Sequence, residues 1–339
     1  MAETLEDLII TLRQAVEEEL RQIVARSNGA GLEEFRSMIA YHLGWEGLGA
    51  GPAAQGKRIR PLLVLLTAAA SGGKWQNSLP AAASVELLHN FSLVHDDIED
   101  NSSLRRGRQT LWKKYGIAQA INTGDTIYTL AFLSLHNLEK LTTPAITLKG
   151  FQILSDACLQ LTQGQYLDLS SELRGDLTLE SYWPMVNGKT AALLSACAQL
   201  GALVSDASAQ IFNAYRQFGR YLGLAFQAQD DLLGMWGDAA LTGKSNESDL
   251  ASRKKSLPVL YGLSRGGEFA QRWAQGPFND KEVRKWANQL TEEGAREFTQ
   301  AQVEKLTQLA LEALEDARPL GLPGEALHSL ALELLRRQA

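Results

Sequence analysis

The chain has 339 residues and a formal net charge of −6 at pH 7, with 45% hydrophobic and 21% charged residues. This balance excludes a disordered chain, and the lack of a basic arm or stripe argues against a nucleic-acid partner. Two cysteines, Cys158 and Cys197, are too few for a disulfide framework, so we expect free thiols in a cytoplasmic protein. The longest near-apolar run, 61–70, is far shorter than the roughly 20 residues of a membrane span, so no span is expected.

Long helices are predicted along the chain, without strands. Residues 81–143 and 185–257 contain no proline, and such gaps permit long helices because proline breaks helix interiors. Within 87–94 apolar residues recur at i, i+1, i+4 and i+7, the spacing of one helix face. Because neither an internal repeat nor a long linker divides the chain, we expect an all-α fold in one large domain over residues 1–339.

The first carboxylate cluster is Asp96-Asp97-Ile98-Glu99-Asp100, at the end of a largely apolar helical stretch. Asp96 and Asp100 share one helix face, where two carboxylates repel each other unless a cation lies between them. Mg²⁺ suits this position because it binds one or two carboxylates together with substrate phosphates. An exposed acidic helix face is the alternative interpretation, and the apolar flanking sequence disfavours it. The spacing therefore indicates a magnesium site that serves a phosphate-bearing substrate.

A second cluster, Asp230-Asp231-Leu232-Leu233-Gly234, follows another apolar helical stretch at 221–226. Two such clusters on separate helices that face across a cavity would hold a diphosphate through several Mg²⁺ ions. Bound metal ions would then neutralise a departing diphosphate.

Runs of cations accompany both acidic clusters. They are Lys57, Arg58 and Arg60, then Arg105, Arg106 and Arg108, then Lys189, and finally Lys244, Lys254 and Lys255. Each run alone is typical of a solvated face. Around two acidic clusters they indicate a site for two diphosphates with hydrocarbon tails, because arginine and lysine both bind phosphate groups.

These residues resemble the motifs of the trans-isoprenyl diphosphate synthases, or polyprenyl synthetases. The motifs occur in the family's order, as GKRIRP at 56–61, ELLHNFSLVHDDIEDNSSLRRGRQT at 86–110, NTGDTIYTLAF at 122–132, GQYLDL at 164–169, GKTAAL at 188–193 and FQAQDDLLGMWGD at 226–238. The motif core spans 56–258. The resemblance implies the isoprenoid synthase fold, an all-α domain of long helices around a central deep pocket, in a homodimer.

The activity that the resemblance implies is Mg²⁺-dependent prenyl transfer, with about three magnesium ions when substrate is bound. Isopentenyl diphosphate would condense with an allylic prenyl diphosphate by ionisation, condensation and elimination. The product would be a short all-trans prenyl diphosphate, with C20 favoured and C15 possible.

The resemblance also implies roles for residues at matching positions. The metal-binding residues would be Asp96, Asp97, Asp100, Asp230 and Asp231. Isopentenyl diphosphate would be bound by Lys57, Arg60, His89 and Arg106. The allylic diphosphate would be held by Arg105, Lys189 and Lys244. The developing allylic cation would be steadied by Thr190 and Gln227. The floor of the tail pocket would be formed by Phe91 and Ser92.

One position departs from the family pattern, because Gly234 stands where the second motif normally has a third aspartate. Asp230, Gly234 and Asp238 keep the spacing of a terpene-cyclase metal motif, so a cyclase-like enzyme acting on an allylic diphosphate alone is one alternative. Glycine has no side-chain ligand, however, and a cyclase has no use for a second diphosphate site. A non-catalytic partner subunit is the other alternative, and the intact DDIED sequence argues against it.

Overall fold

The computed structural model describes residues 4–237 and 248–335. Within these ranges the chain is almost entirely helical, so the all-α prediction is confirmed. The prediction that the chain has no strands is wrong at one short hairpin, in which Leu104–Arg105 (β1) pairs antiparallel with Arg108–Gln109 (β2), Leu104 opposite Gln109. The two residues between the strands, Arg106 and Gly107, both have positive φ, as a tight hairpin turn requires. None of the described helices has the length and apolar character needed to cross a membrane.

The described α-helices follow one another with short connections. In chain order they are α1 (Leu5–Val24), α2 (Glu33–His42), α3 (Pro52–Gln55), α4 (Ile59–Ala70), α5 (Leu79–Glu99), α6 (Leu111–Tyr115), α7 (Ile117–His136), α8 (Pro144–Leu173), α9 (Leu179–Val186), α10 (Ala192–Val204), α11 (Ala209–Trp236), α12 (Ser248–Ala251), α13 (Leu257–Arg265), α14 (Glu268–Trp273), α15 (Asp280–Glu292), α16 (Ala295–Asp316) and α17 (Gly321–Leu335). A π-helical turn, Asn187–Ala191, joins α9 to α10.

The helices cluster into two compact units. Among the described residues, the first unit comprises 4–155, 197–212 and 318–327, and the second comprises 156–196, 213–237, 248–317 and 328–335. The single domain over 1–339 and the central pocket stay predictions.

Helix α5 is the central helix of the first unit and carries the first acidic cluster at its end. Its N-terminal half is buried on every side, and Pro80 lies in the first turn, where a missing N–H costs little. The Ser134 hydroxyl of α7 donates to the Pro80 carbonyl at 2.9 Å. Gly124 lets α7 approach α5 closely, because a Cβ there would come within 2.5 Å of His95 Nε2. Helix α5 is thus fixed along its length before it reaches the carboxylates.

In the second unit, two glycines clamp the π-helical turn. A Cβ on Gly164 would lie 2.1 Å from the backbone nitrogen of Lys189, and one on Gly223 would lie 2.5 Å from the Cα of Ala191. The backbones of α8 and α11 therefore touch the turn directly on each side. Because π-helical turns in α-helices often occur at functional sites, this turn singles out Lys189 and Thr190.

Candidate functional site

A cluster of cations surrounds the loop before α4 in the first unit. Its members, here called the cation cluster, are Lys57, Arg58, Arg60, Arg105 and Arg106. Gly56 has φ +79°, and a Cβ there would lie 2.7 Å from the Arg106 guanidinium. Arg106 itself has φ +51° and donates through Nη1 to the Ala54 carbonyl at 2.8 Å. Glycine at position 56 therefore leaves the space that the Arg106 side chain fills over the loop.

Two of these cations already have buried carboxylate partners. Arg58 donates to Glu17 Oε1 at 2.6 Å and to Glu86 Oε1 at 2.7 Å. Arg105 donates through Nε to both Asp97 oxygens, at 2.9 and 3.0 Å. The charges of Arg58 and Arg105 are therefore balanced within the protein.

Three other cations of this cluster make no ion pair with any residue that the structure describes, namely Lys57, Arg60 and Arg106. Lys57 is exposed, whereas Arg60 Nε is buried without a hydrogen-bond partner. Burial lowers the pKa of Arg60, although the Glu86 carboxylate acts in the opposite direction. Partial desolvation also lowers the pKa of Arg106, much of whose surface nonetheless stays exposed. Positive charge that is partly desolvated and unbalanced favours an anionic ligand.

Two imidazoles lie beside these arginines. Burial, and then the charges of Arg60 and Arg106, hold the pKa of His89 well below its usual range, so the ring is neutral at pH 7. Burial and the two arginines at 105 and 106 lower the pKa of His42 to about 3, and its Nε2 is buried without a hydrogen-bond partner. His42 lines the same small cavity as Asn90, and sequence reasoning missed it.

The first acidic cluster divides into two kinds of carboxylate. Asp96 is half-buried and Asp100 is exposed, and the Asp100 amide donates to the Asp96 carbonyl at 2.8 Å, which keeps them one turn apart. Asp97 points away from this face, is 2% exposed, and is the partner of Arg105. Its burial raises the pKa of the carboxyl, and the hydrogen bonds from Arg105 oppose that rise.

The second acidic cluster divides in the same way. Asp230 is half-buried, whereas Asp231 is 2% exposed. The Asp231 Oδ2 atom accepts from the Tyr182 hydroxyl at 2.7 Å and from the Leu257 amide at 2.9 Å. Its Oδ1 accepts from Gln227 Nε2 at 3.1 Å, and Lys254 Nζ lies 3.9 Å away. Both oxygens of Asp231 are therefore occupied by protein donors.

The π-helical turn supplies two further predicted residues of the second unit. Thr190 Oγ1 donates to Gln227 Oε1 at 2.9 Å, so Thr190, Gln227 and Asp231 form one hydrogen-bond chain. Lys189 forms an ion pair with Asp168 of the GQYLDL segment. Lys244, predicted to hold the allylic diphosphate, and Asp238 lie outside the described residues.

The carboxylates fit Mg²⁺ of the kind that is shared with a substrate. No group of three histidine, cysteine, aspartate or glutamate side chains comes together in residues 4–237 and 248–335. Mg²⁺ needs only one or two protein carboxylates when phosphates and water complete its octahedron. Asp96 and Asp100, one turn apart, match that requirement. Gly234 leaves Asp230 without a carboxylate one turn later.

A row of aromatic rings begins at Phe91 in the first unit. The Phe91 ring lies 5.1 Å from Tyr128, which lies 5.0 Å from Phe132, and Phe132 lies 6.2 Å from Phe151. Ser92 is buried and donates to the His89 carbonyl at 2.8 Å, so its hydroxyl is turned onto its own helix. The row extends from α5 across α7 to α8.

Known proteins were compared with this chain. The sequence profile of the polyprenyl synthetase family matches residues 50–290. A (2E,6E)-farnesyl diphosphate synthase of Mycobacterium tuberculosis is 36% identical over 94% of this chain and 90% of its own. A geranylgeranyl diphosphate synthase of the same organism is 39% identical over 84% and 83%. The crystal structure of a polyprenyl synthetase from Streptomyces coelicolor A3(2) superposes with a TM-score of 0.88 at 34% identity, covering 98% of this chain and 99% of that one. Because the profile matches most of the chain and these relatives align along nearly all of it, the protein belongs to the polyprenyl synthetase family.

Proposed function

We propose that this protein is a prenyltransferase that condenses isopentenyl diphosphate with an allylic diphosphate into a short all-trans prenyl diphosphate. Relatives named farnesyl and geranylgeranyl diphosphate synthase, which align over most of the chain, support this reaction. The observation that carries the proposal is a contrast within one chain. One cluster holds cations without an ion-pair partner among the described residues, beside neutral imidazoles, whereas Asp96 and Asp100 of the first acidic cluster are carboxylates at metal-binding spacing.

The cation cluster suits a diphosphate that is bound without metal. Lys57, Arg60 and Arg106 bring three positive charges that form no ion pair with any described residue. The neutral His89 ring adds a hydrogen-bond donor without adding charge. We assign isopentenyl diphosphate to this cluster because its diphosphate stays attached to the product and needs no activation.

The acidic clusters suit the diphosphate that departs. Asp96, Asp100 and Asp230 would hold Mg²⁺, which when bound neutralises charge on the leaving diphosphate. Asp97 and Asp231 support these carboxylates from buried positions, and a metal contact through water stays a prediction for both. Arg105 and Lys189 carry Asp97 and Asp168 as counter-ions, and an allylic diphosphate would compete for the same donors. Lys244 keeps its assignment here as a prediction.

The residues of the second unit would act on the reacting carbon. Gln227 is fixed at both ends, because its amide nitrogen donates to Asp231 and its oxygen accepts from Thr190. Oxygen lone pairs held in place in this way stabilise a developing cation without reorganising. The double bond of isopentenyl diphosphate then attacks the allylic carbon, and the released diphosphate takes the departing proton.

The row of rings that starts at Phe91 supports a short product. A tail that grows past Ser92 would meet the Phe91 ring first and Tyr128 next. We therefore favour a C20 product, with C15 as the second possibility.

We also propose a homodimer, and a cytoplasmic location that the two buried free thiols support. The family of the chain favours both proposals.

Product analysis by mass spectrometry tests the function. Purified protein with Mg²⁺ receives isopentenyl diphosphate plus dimethylallyl, geranyl or farnesyl diphosphate, and each allylic diphosphate is also supplied alone. We expect longer prenyl diphosphates only in the mixtures. Hydrocarbons or alcohols from an allylic diphosphate alone would instead identify a cyclase-like enzyme, and no product in any tube would leave a partner subunit.

A further inference from the structure

Arg58 is a buried arginine with a left-handed backbone, located between two predicted ligands of isopentenyl diphosphate. It caps the N-terminus of α4 with φ 52° and ψ 38°, and its side chain is 1% exposed. Lys57 precedes it, and Arg60, the second residue of α4, follows two residues later. A non-glycine residue in this conformation is strained, so surrounding contacts must hold it there.

Three contacts fix the Arg58 guanidinium. Besides Glu17 and Glu86, the Leu43 carbonyl accepts from Nη2 at 3.3 Å. Burial alone would lower the pKa of Arg58, but the two carboxylates outweigh it and raise the pKa. Trp45 Nε1 donates to the second oxygen of Glu17 at 2.8 Å, so Glu17 of α1 holds both Trp45 and the loop that carries Arg58.

Stability alone is a weak reason for such a network, because buried ion pairs gain little over well-packed apolar residues. Glu86 suggests a further role. It stands three residues before His89 on α5, and its partner Arg58 lies two residues before Arg60. Its charge opposes the effect of burial, which lowers the pKa of both Arg60 and Arg106. Glu86 is therefore a buried anion within electrostatic reach of two arginines that are predicted to bind a diphosphate.

We propose that Arg58 is a positioning residue that masks Glu86 and so keeps Arg60 and Arg106 available to the diphosphate of isopentenyl diphosphate. This inference rests on the proposed function. Arg58 donates to Oε1 of Glu86 at 2.7 Å, and Asn90 donates to the same oxygen at 2.9 Å. Without Arg58, Glu86 turns to the neighbouring arginines and competes with the diphosphate for their donors. The ion pair between Arg58 and Glu17 of α1 anchors the loop and takes no part in this competition.

Steady-state kinetics of three variants test the masking. Arg58→Met should raise the KM for isopentenyl diphosphate by about tenfold while the allylic KM stays within about twofold. The double variant Arg58→Met with Glu86→Gln should recover most of that loss, because the unmasked anion is gone. Glu17→Gln is the matched control, since it breaks the ion pair between Arg58 and α1 but leaves Arg58 bound to Glu86. It should lower the melting temperature and leave the KM for isopentenyl diphosphate unchanged.

If Arg58→Met does not fold, Arg58→Lys replaces it. Lysine keeps a charge beside Glu86 but cannot make all of the arginine's hydrogen bonds, so its KM for isopentenyl diphosphate should lie between the wild-type value and the rise of about tenfold expected for Arg58→Met. An unchanged KM in a folded Arg58→Met protein would overturn the masking, as would an equal rise in Glu17→Gln or no recovery in the double variant. Wild-type protein that consumes no isopentenyl diphosphate would overturn the proposed function, and the masking with it. An active wild type with an unaffected Arg58→Met variant would overturn the masking alone.

Discussion

The two aspartate pairs, Asp96-Asp97 and Asp230-Asp231, share an arrangement but differ in what holds them. In each pair the first aspartate is half-buried and the second is 2% exposed. The second aspartate of the first pair is held by a charged partner, Arg105, whereas Asp231 is held mainly by neutral donors. The first helix adds a carboxylate one turn later and the second has glycine there. The first region is thus built to hold charge, and the second to fix geometry.

The largest expected effect comes from removing the carboxylates of the first helix face. Asp96→Ala and Asp100→Ala should each lower kcat by about 10³-fold or more, roughly 4 kcal/mol of transition-state stabilisation, because a magnesium ligand is lost. Glu99→Ala is the control, since it removes an exposed carboxylate of the same segment to which no metal contact is assigned. Steady-state rates at saturating Mg²⁺ measure the effect, and near-normal rates in either alanine variant would contradict the metal assignment.

Removal of the buried aspartates should separate the two regions by stability. Asp231→Ala leaves the Tyr182 hydroxyl and the Leu257 amide buried without an acceptor, and we expect a loss of about 3 kcal/mol in the free energy of unfolding. Asp97→Ala should cost less, because the Arg105 side chain is 32% exposed and water can solvate it. Urea unfolding measures both variants. Equal losses would show that the neutral network around Asp231 has no special weight.

The aromatic row beside the first cluster predicts a change in product. Phe91→Ala should lengthen the main product by about one isoprene unit. The Tyr128 ring, whose centre lies 5.1 Å from that of Phe91, would then block the tail. Phe132→Ala should leave the product unchanged, because two rings still stand before it. Mass spectrometry of the products distinguishes these outcomes, and an unaltered profile in Phe91→Ala would remove that ring as the floor.

The missing carboxylate of the second cluster predicts a smaller effect. Gly234→Asp should lower the Mg²⁺ concentration for half-maximal rate by about threefold to tenfold, because the Mg²⁺ ion assigned to Asp230 would gain a second carboxylate ligand from one turn away. Gly234→Ala adds the side-chain carbon without the oxygens and should not. A fall in activity of the aspartate variant alone would show that Gly234 is a specialised residue.

The first region should also give the protein acid sensitivity. The pKa of His42 is about 3 in the folded state, against about 6.5 in an unfolded chain. Between these values only the unfolded chain binds the proton on this imidazole. The contribution of His42 to the free energy of unfolding is therefore highest above pH 6.5 and falls as the pH drops towards 3. At pH 5 this one group would remove about 2 kcal/mol. Urea midpoints at pH 7 and pH 5 should differ less in His42→Gln, and an identical difference would refute this origin.

The fold and the motif positions could be predicted from the sequence, because helical periodicity and motif spacing are local properties. The one-turn relation of Asp96 to Asp100 is such a case. The inward orientation of Asp97 and Asp231 could not be predicted, since it depends on partners 8 to 49 residues away, namely Arg105 and Tyr182.

Several residues of the clusters gave no signal that reasoning from motifs could use. Glu17 and His42 precede the first motif, and nothing in a run of ordinary helix residues marks a side chain that will reach a buried arginine or an arginine-lined cavity. Glu86 and Asp168 do lie within the motifs ELLHNFSLVHDDIEDNSSLRRGRQT and GQYLDL, where an acidic residue beside apolar ones hints at an ion pair but does not identify the partner. Their partners, Arg58 and Lys189, become visible only after folding.

The separation of two diphosphate-binding chemistries is tested most directly by steady-state kinetics of Lys57→Ala, with each substrate and Mg²⁺ varied in turn. We predict that the KM for isopentenyl diphosphate rises by about tenfold, because a cation that pairs with no described carboxylate is lost from the metal-free cluster. The allylic KM and the Mg²⁺ requirement should stay as in the wild type. A rise confined to the allylic KM, or a shifted Mg²⁺ requirement, would contradict the assignment of the cation cluster to isopentenyl diphosphate.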